Sequence, residues 1–357
     1  MRSTFASPRT LAFVTMFFGA AGAACGGGGV STPPATAHET QPASEAVPPP
    51  PEAAANACGG FEQRALQTTP TPLLNDRLQV RVPEGAMSSA PPATSTATEQ
   101  AIEMETRVFL GEGDKQLVVI SEELGALAPP ALTEKLKAAS PRLAQATFRE
   151  LTLPSGLKVV LATHDQLPEV PDAVPLAHAF STLADGTLQA TRIFVSPAVM
   201  AGGGKGCVDF AVSILSTLAP GKHVLDLSAG TRKLGSRFEL AVPQGTLIAP
   251  QRGPDFNVYR VLVVRELGSA APQMGIYVGT HPSYAPEPSA KPIPGKLLGK
   301  PVTWLETTTN GVVERETLLK LPDVSLHLFM AASDTADAEA LTKTAGTLRE
   351  LEAPASK

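Results

Sequence analysis

The densest grouping of chemically capable side chains is His164-Asp165-Gln166-Leu167-Pro168-Glu169-Val170-Pro171-Asp172, which puts one imidazole and three carboxylates within nine positions. Carboxylate oxygens suit hard cations, and the same charges can meet a basic partner. His164, Asp165, Glu169 and Asp172 are therefore the candidate binding residues, for a cation or a partner. The loop's prolines stiffen it, and an acid-rich loop is equally the composition of a plain solvated connection. Gly202-Gly203-Gly204-Lys205-Gly206 precedes a helical stretch but lacks the GxxxxGK[ST] spacing with which backbone amides cradle a phosphate, so it reads as a flexible helix entry. No His-x-x-x-His, paired Cys-x-x-Cys or Gly-x-Ser-x-Gly occurs, and no catalytic residue, metal site or cofactor is assigned. His178 and His327 fall in expected strands, where a core or edge histidine is the simpler role. Trp304 alternates with Val302, which points it to a core.

The elements that would position such residues come in two sets. Leu234–Gly245, LGSRFELAVPQG, repeats the pattern of Leu74–Gly85, LNDRLQVRVPEG, with matches at Leu74/Leu234, Arg77/Arg237, Val82/Val242, Pro83/Pro243 and Gly85/Gly245. In each copy apolar residues alternate with polar ones, at Leu78, Val80, Val82 and at Phe238, Leu240, Val242, the pattern of a half-buried strand stopped by proline. A second pair, Cys207–Gly221 and Asp337–Leu351, shows helical spacing and carries Thr-Leu near its end in both copies. The chain is thus expected to be a tandem duplication, with repeats at 58–221 and 222–352 and a tail at 353–357.

Within the first repeat, strands are expected at 102–110, 116–121, 157–162, 174–183 and 187–195, with a short helix at 130–140 and a closing helix from 207. The second repeats this order. Its segment 280–301 is proline-rich, so the middle helix is expected to be shortened or missing there, and Asn310-Gly311 makes a tight hairpin.

A chain of 357 residues with 43% apolar content can fill two cores of ordinary size. The net charge of -5, without a block of Lys or Arg, gives no surface that would neutralise a run of phosphates, so nucleic acid is not an expected partner. Nothing in the sequence sets an oligomeric state.

At the N-terminus, Arg2 and Arg9 precede an apolar run from Leu11 to Phe18, followed by Gly19-Ala20-Ala21-Gly22-Ala23-Ala24-Cys25. These are the charged, apolar and small-residue regions of an export signal, and the run is too short to span a bilayer. Small residues ending in cysteine resemble a bacterial lipoprotein signal, which implies that Cys25 is lipidated, begins the mature chain and holds it to a membrane. Gly22 stands where a larger aliphatic residue is commoner in such signals, and Ala21-Gly22-Ala23 could serve an ordinary signal peptidase instead. Because Gly26 is not aspartate, the resemblance implies the outer membrane. Residues 26–57, rich in Pro, Ala, Gly, Ser and Thr, cannot bury enough apolar area to offset their ordering entropy and are expected to be a disordered tether.

Export places the chain in an oxidising compartment. With Cys25 consumed by lipid, Cys58 and Cys207 remain, and a disulfide between them is expected; two reduced cysteines far apart are the alternative.

An opening strand ending in Val-Pro-x-Gly, a meander, and a last strand leading into a closing helix make a strand-then-helix order repeated twice, an α+β pattern. This order resembles the PsbP-like fold, which implies two tandem antiparallel sheets, each covered by helices in an α/β/α sandwich. The resemblance implies a binding or assembly factor, here a cell-envelope lipoprotein with a possible envelope protein partner. An envelope enzyme with a site between the repeats and a structural envelope component are the alternatives. An exposed apolar patch on one sheet face would favour the binding module.

Overall fold

The computed structural model describes residues 58–85, 88–89, 103–110, 116–164, 175–196, 199, 204–285 and 287–351. The expected export signal and tether lie outside these residues.

The first half opens with a 3-10 turn, Phe61–Gln63, and a hairpin of β1 (Thr71–Leu73) and β2 (Leu78–Val80). There follow β3 (Ser88–Ser89), β4 (Glu103–Leu110), β5 (Gln116–Leu127), the helices α1 (Leu132–Ala139) and α2 (Pro141–Ala144), and β6 (Thr147–Thr152). The half continues with β7 (Lys158–Thr163), β8 (Ala177–Thr182), β9 (Thr187–Val195), α3 (Gly204–Leu215) and β10 (Ala219–Pro220). The second half runs β11 (Gly230–Leu234), β12 (Phe238–Val242), β13 (Thr246–Arg252), β14 (Phe256–Val263), β15 (Arg265–Glu266) and β16 (Gln273–Gly279). It ends with β17 (Lys291–Leu297), β18 (Lys300–Thr309), β19 (Val312–Lys320), β20 (Ser325–Ala332), α4 (Thr335–Ala345) and β21 (Arg349–Glu350).

The main strands of the two halves follow one order. The large antiparallel sheet of the first half has the order β3-β4-β5-β9-β8-β7-β6, and that of the second β13-β14-β16-β20-β19-β18-β17. Numbered within each half, either order is first, second, third, seventh, sixth, fifth, fourth. Each half adds a small sheet, β1-β2-β10 or β11-β12-β21, in which the opening strand pairs with the short strand that follows the closing helix.

The repeated residues of the opening strand have matching roles. Leu74 and Leu234 are buried, as are Leu78, Val80 and Val82 in one half and Phe238, Leu240 and Val242 in the other. Gly85 and Gly245 turn the chain at φ of 68° and 78°, where a Cβ would be strained. The Thr-Leu pair locks the closing segment to this strand. Thr217 Oγ1 accepts the Arg81 N–H at 2.9 Å and Thr347 Oγ1 accepts the Ala241 N–H at 3.1 Å. Leu218 and Leu348 enter the cores beside them.

Each main core lies between one face of the large sheet and a layer made of the small sheet and the closing helix. In the first half Leu78, Val80, Ala211, Ile214 and Leu218 meet Val119, Leu161, Ala179 and Ile193. In the second, Phe238, Leu240, Leu341, Ala345 and Leu348 meet Val261, Ile276, Trp304 and Leu328. Asp334 caps α4 by accepting the Asp337 N–H at 2.8 Å.

This arrangement overturns the expected helix-covered α/β/α sandwich of PsbP-like type. Half of the described residues are in strands and only 14% in helices, so the described fold is predominantly β. The opening strand does not join the main meander; it forms a separate layer that shares one sheet face with the closing helix. On the opposite face, among the described residues, only the first half carries helices. A short strand with a clear apolar side states that it must be covered, but not by which element, and that choice misled the sequence reading.

Cys58 and Cys207 form a disulfide with a Cα–Cα distance of 4.6 Å, joining the start of the described fold to α3. The halves are coupled through β15, which pairs in parallel with the end of β5, and through Leu267, buried in the cluster that contains α1 and α2 of the first half.

Candidate functional site

Of the expected loop residues, only His164 is described. It is buried, with its ring 6.2 Å from that of His178 in β8, and Asp165, Glu169 and Asp172 lie outside the described residues. His178 itself stacks on Phe180 at 5.9 Å and neighbours Arg192 of β9 in register, while Arg192 is ion-paired with Glu122 of β5. Burial first, then the Arg192 guanidinium and His164, hold the His178 imidazole well below its usual range, so it is neutral. Among the described residues no group of three His, Cys, Asp or Glu is placed to hold a metal ion. Cys25, Gly202 and Gly203 lie outside the described residues; Gly204, Lys205 and Gly206 form the first turn of α3.

A second feature follows from the difference between the halves. In the first, the face of the large sheet away from the main core is roofed by α1 and α2. Leu132, Leu136 and Leu143 pack there on Val160, Ala162, Phe180, Leu188 and Ala190, with Leu267 from the second half beside them. Each such leucine contributes about 1.5–3 kcal/mol relative to exposure. In the second half the equivalent connection, between β16 and β17, contains no helix among its described residues. Among the described residues the corresponding face is open.

Strand register places two rows across that open face. One runs Leu305, Glu316, Phe329, Gly275 and Arg260; the next runs Leu318, His327, Tyr277 and Val258. Phe329 is 43% exposed although it stands in the seventh strand, at the middle of the sheet. Its ring lies across Gly275, where an added Cβ would come within 2.1 Å of the ring. Glycine at that position lets the aromatic lie flat on its neighbour. Around it, Tyr284 meets His327 edge-on at 5.4 Å, His327 lies 5.5 Å from Phe329, and Phe256 stacks on Tyr277 at 5.4 Å. His327 Nε2 is 3.2 Å from Glu316 Oε2. Burial, then the Glu316 carboxylate, raise the Tyr284 hydroxyl above its ordinary range. Around Phe329 the face is therefore aromatic and aliphatic, with Glu316 on one side of the row and Arg260 on the other, which suits contact with a surface better than bond-making chemistry.

Apart from His327, read as a core or edge histidine, these residues were not singled out from sequence. Two signals pointed to them: the run Ser325–Ala332, apolar at alternating outward as well as inward positions, and the expected loss of the middle helix at 280–301.

No family model matches the chain, and no curated protein matches it. A solved structure of MucB in complex with MucA(peri) is similar at 12% identity and a TM-score of 0.21, over 84% of this chain and 98% of that one. The MucA/MucB complex of Pseudomonas aeruginosa is similar at 13% identity and a TM-score of 0.17, over 70% of this chain and 84% of that one. Likeness at this level carries no argument about the fold or partners of the present chain.

Proposed function

We propose that this chain is a cell-envelope lipoprotein that acts as a non-catalytic binding or assembly module and engages a protein partner through the open face of its second large sheet. The observation that carries the proposal is the exposed Phe329, flat on Gly275 and surrounded by Tyr277, His327 and Leu318, on a face whose counterpart in the first half is roofed. A central strand that leaves a large aromatic in water loses burial energy that a partner would recover. The address rests on the small-residue run ending in Cys25, and the Cys58–Cys207 bond is in keeping with an oxidising compartment.

A photo-cross-linking residue at Leu318 in the full chain, produced in its own cells, tests the binding face. A discrete cross-linked protein from position 318, absent from a probe at the exposed Val224 and lost in Phe329→Asp, is the expected result. Indistinguishable products from the two positions would reject the face. Mass spectrometry of the mature N-terminus tests the address: a lipid-modified Cys25 is expected, and a free Ala24 at the start would reject it.

A further inference from the structure

We infer that the open face of the second sheet docks an amphipathic helix of a partner protein, with aliphatic side chains one turn apart and a Lys or Arg beside them. This rests on the binding role proposed above and specifies its occupant. The first half supplies the template, because its β5, β9, β8 and β7 correspond in order to β16, β20, β19 and β18. There the cover is helical: α1 seats Leu132 and Leu136 on the sheet and α2 adds Leu143. In the second half the connecting segment lays Tyr284 against His327 and builds no helix among its described residues. Two sheets of one topology, one roofed by its own chain and one not, leave a space of matching kind for a helix supplied from outside.

Charge selects among helices. The covering segment of the first half, 128–146, carries Lys135, Lys137 and Arg142 against the single acid Glu134. Where β8 turns His178 and Phe180 toward that cover, β19 turns Glu316 and Leu318 outward, with Glu314 and Lys320 to either side and Arg260 beyond Gly275 in the Phe329 row, so the acidic part of the face is local to Glu316. Glu316 sits between Leu305 and Phe329 in its row. A carboxylate placed under an apolar helix is costly unless it is paired, and His327 reaches one of its oxygens. A Lys or Arg from the occupant would meet the carboxylate, with Phe329 as the central anchor.

A fluorescent peptide of residues 128–146 serves as the probe, titrated into the mature full chain and read by anisotropy. Saturable binding is expected, weakened at least about tenfold by Phe329→Asp and by Glu316→Lys in the protein, the loss typical of a central anchor. Leu132→Ser with Leu136→Ser in the peptide should abolish it. Leu151→Asp, at an exposed position on the first half, should leave it unchanged. Circular dichroism checks that Phe329→Asp folds, and Leu305→Asp replaces it if it does not. Binding that survives the substitutions on this face would overturn the inference. Absence of binding with a persistent cross-link from position 318 would overturn the helical occupant alone, and loss of both would remove the binding face as well.

Discussion

The Arg77 guanidinium stands 3.0 Å from Asp185 Oδ2, and the equivalent residues of the second half, Arg237 and Asp323, stand 2.6 Å apart. In both halves the arginine leaves the turn before the opening strand and the aspartate sits in the hairpin between the sixth and seventh strands of the large sheet. The surroundings differ. Arg77 is buried with Glu123 at 2.9 Å and Thr187 Oγ1 at 2.7 Å, whereas Arg237, Asp323 and Glu350 lie at the surface. Burial raises the Glu123 carboxyl even against the opposing pull of Arg77. Burial would raise Asp185 too, but hydrogen bonds from Thr187 and Arg77 outweigh it and hold its carboxyl below the usual range.

Removing the two arginines should therefore cost different amounts. Arg77→Ala strands Glu123 and Asp185 as buried carboxylates and is expected to lower stability by about 3–5 kcal/mol. Arg237→Ala, in solvent, should cost under about 1 kcal/mol. Urea unfolding of the two variants measures the difference, and equal losses would show that burial is not the deciding factor.

Thr217→Val and Thr347→Val should each leave one backbone N–H of the opening strand without its hydroxyl acceptor. A loss of about 1 kcal/mol apiece is expected, alike in the two halves because the geometry is alike. Denaturant midpoints of the single variants check it, and additivity in the double variant checks that the halves carry the bond independently.

Denatured, non-reduced mature protein should show no free thiol at Cys58 or Cys207. Reduction should destabilise the first half by up to about 5 kcal/mol on chain-entropy grounds, a figure set by the sequence separation of 149. Hydrogen exchange with and without reductant should place the new openings in the first half.

His178 gives a pH dependence with a definite sign. The unfolded chain takes up a proton at this residue near pH 6.5, and the folded chain, where the imidazole is held well below that, does not. Its contribution is thus fully present above pH 6.5 and is lost as pH falls below it, at about 1.4 kcal/mol per unit until the folded pKa is reached. Unfolding measured at pH 7.5 and 5.5 should show this loss in the native sequence and a smaller one in His178→Leu.

Local pattern carried the repeated strand, its Arg and the Thr-Leu pair, because each is written within a dozen residues. Their partners were not legible: Asp185 is 108 residues from Arg77, and no spacing rule connects them. In the second half the sequence pattern shows strands at 237–242, 257–265, 274–278, 302–306, 312–320 and 325–330 but not β13 or β17, which are the two edges of its large sheet. Pro250 in one and Pro292 and Pro294 in the other break the look of a strand, and an edge is where proline can sit without costing a ladder bond. The open aromatic face was hidden for a related reason. Sequence pointed to a shortened or missing helix at 280–301, but the cost of that falls on Phe329 and Leu318, which only the register brings beneath the gap.

The Cys58–Cys207 bond also fixes how the protein would bear a load. Tension applied anywhere before residue 58 passes through the sulfurs directly into α3, so the 149-residue span between the two cysteines is bypassed. The hairpin of β1 and β2, which lies within that span, feels none of the pull. A single covalent link thereby turns an attachment point at the edge of the fold into a handle on one of its core helices.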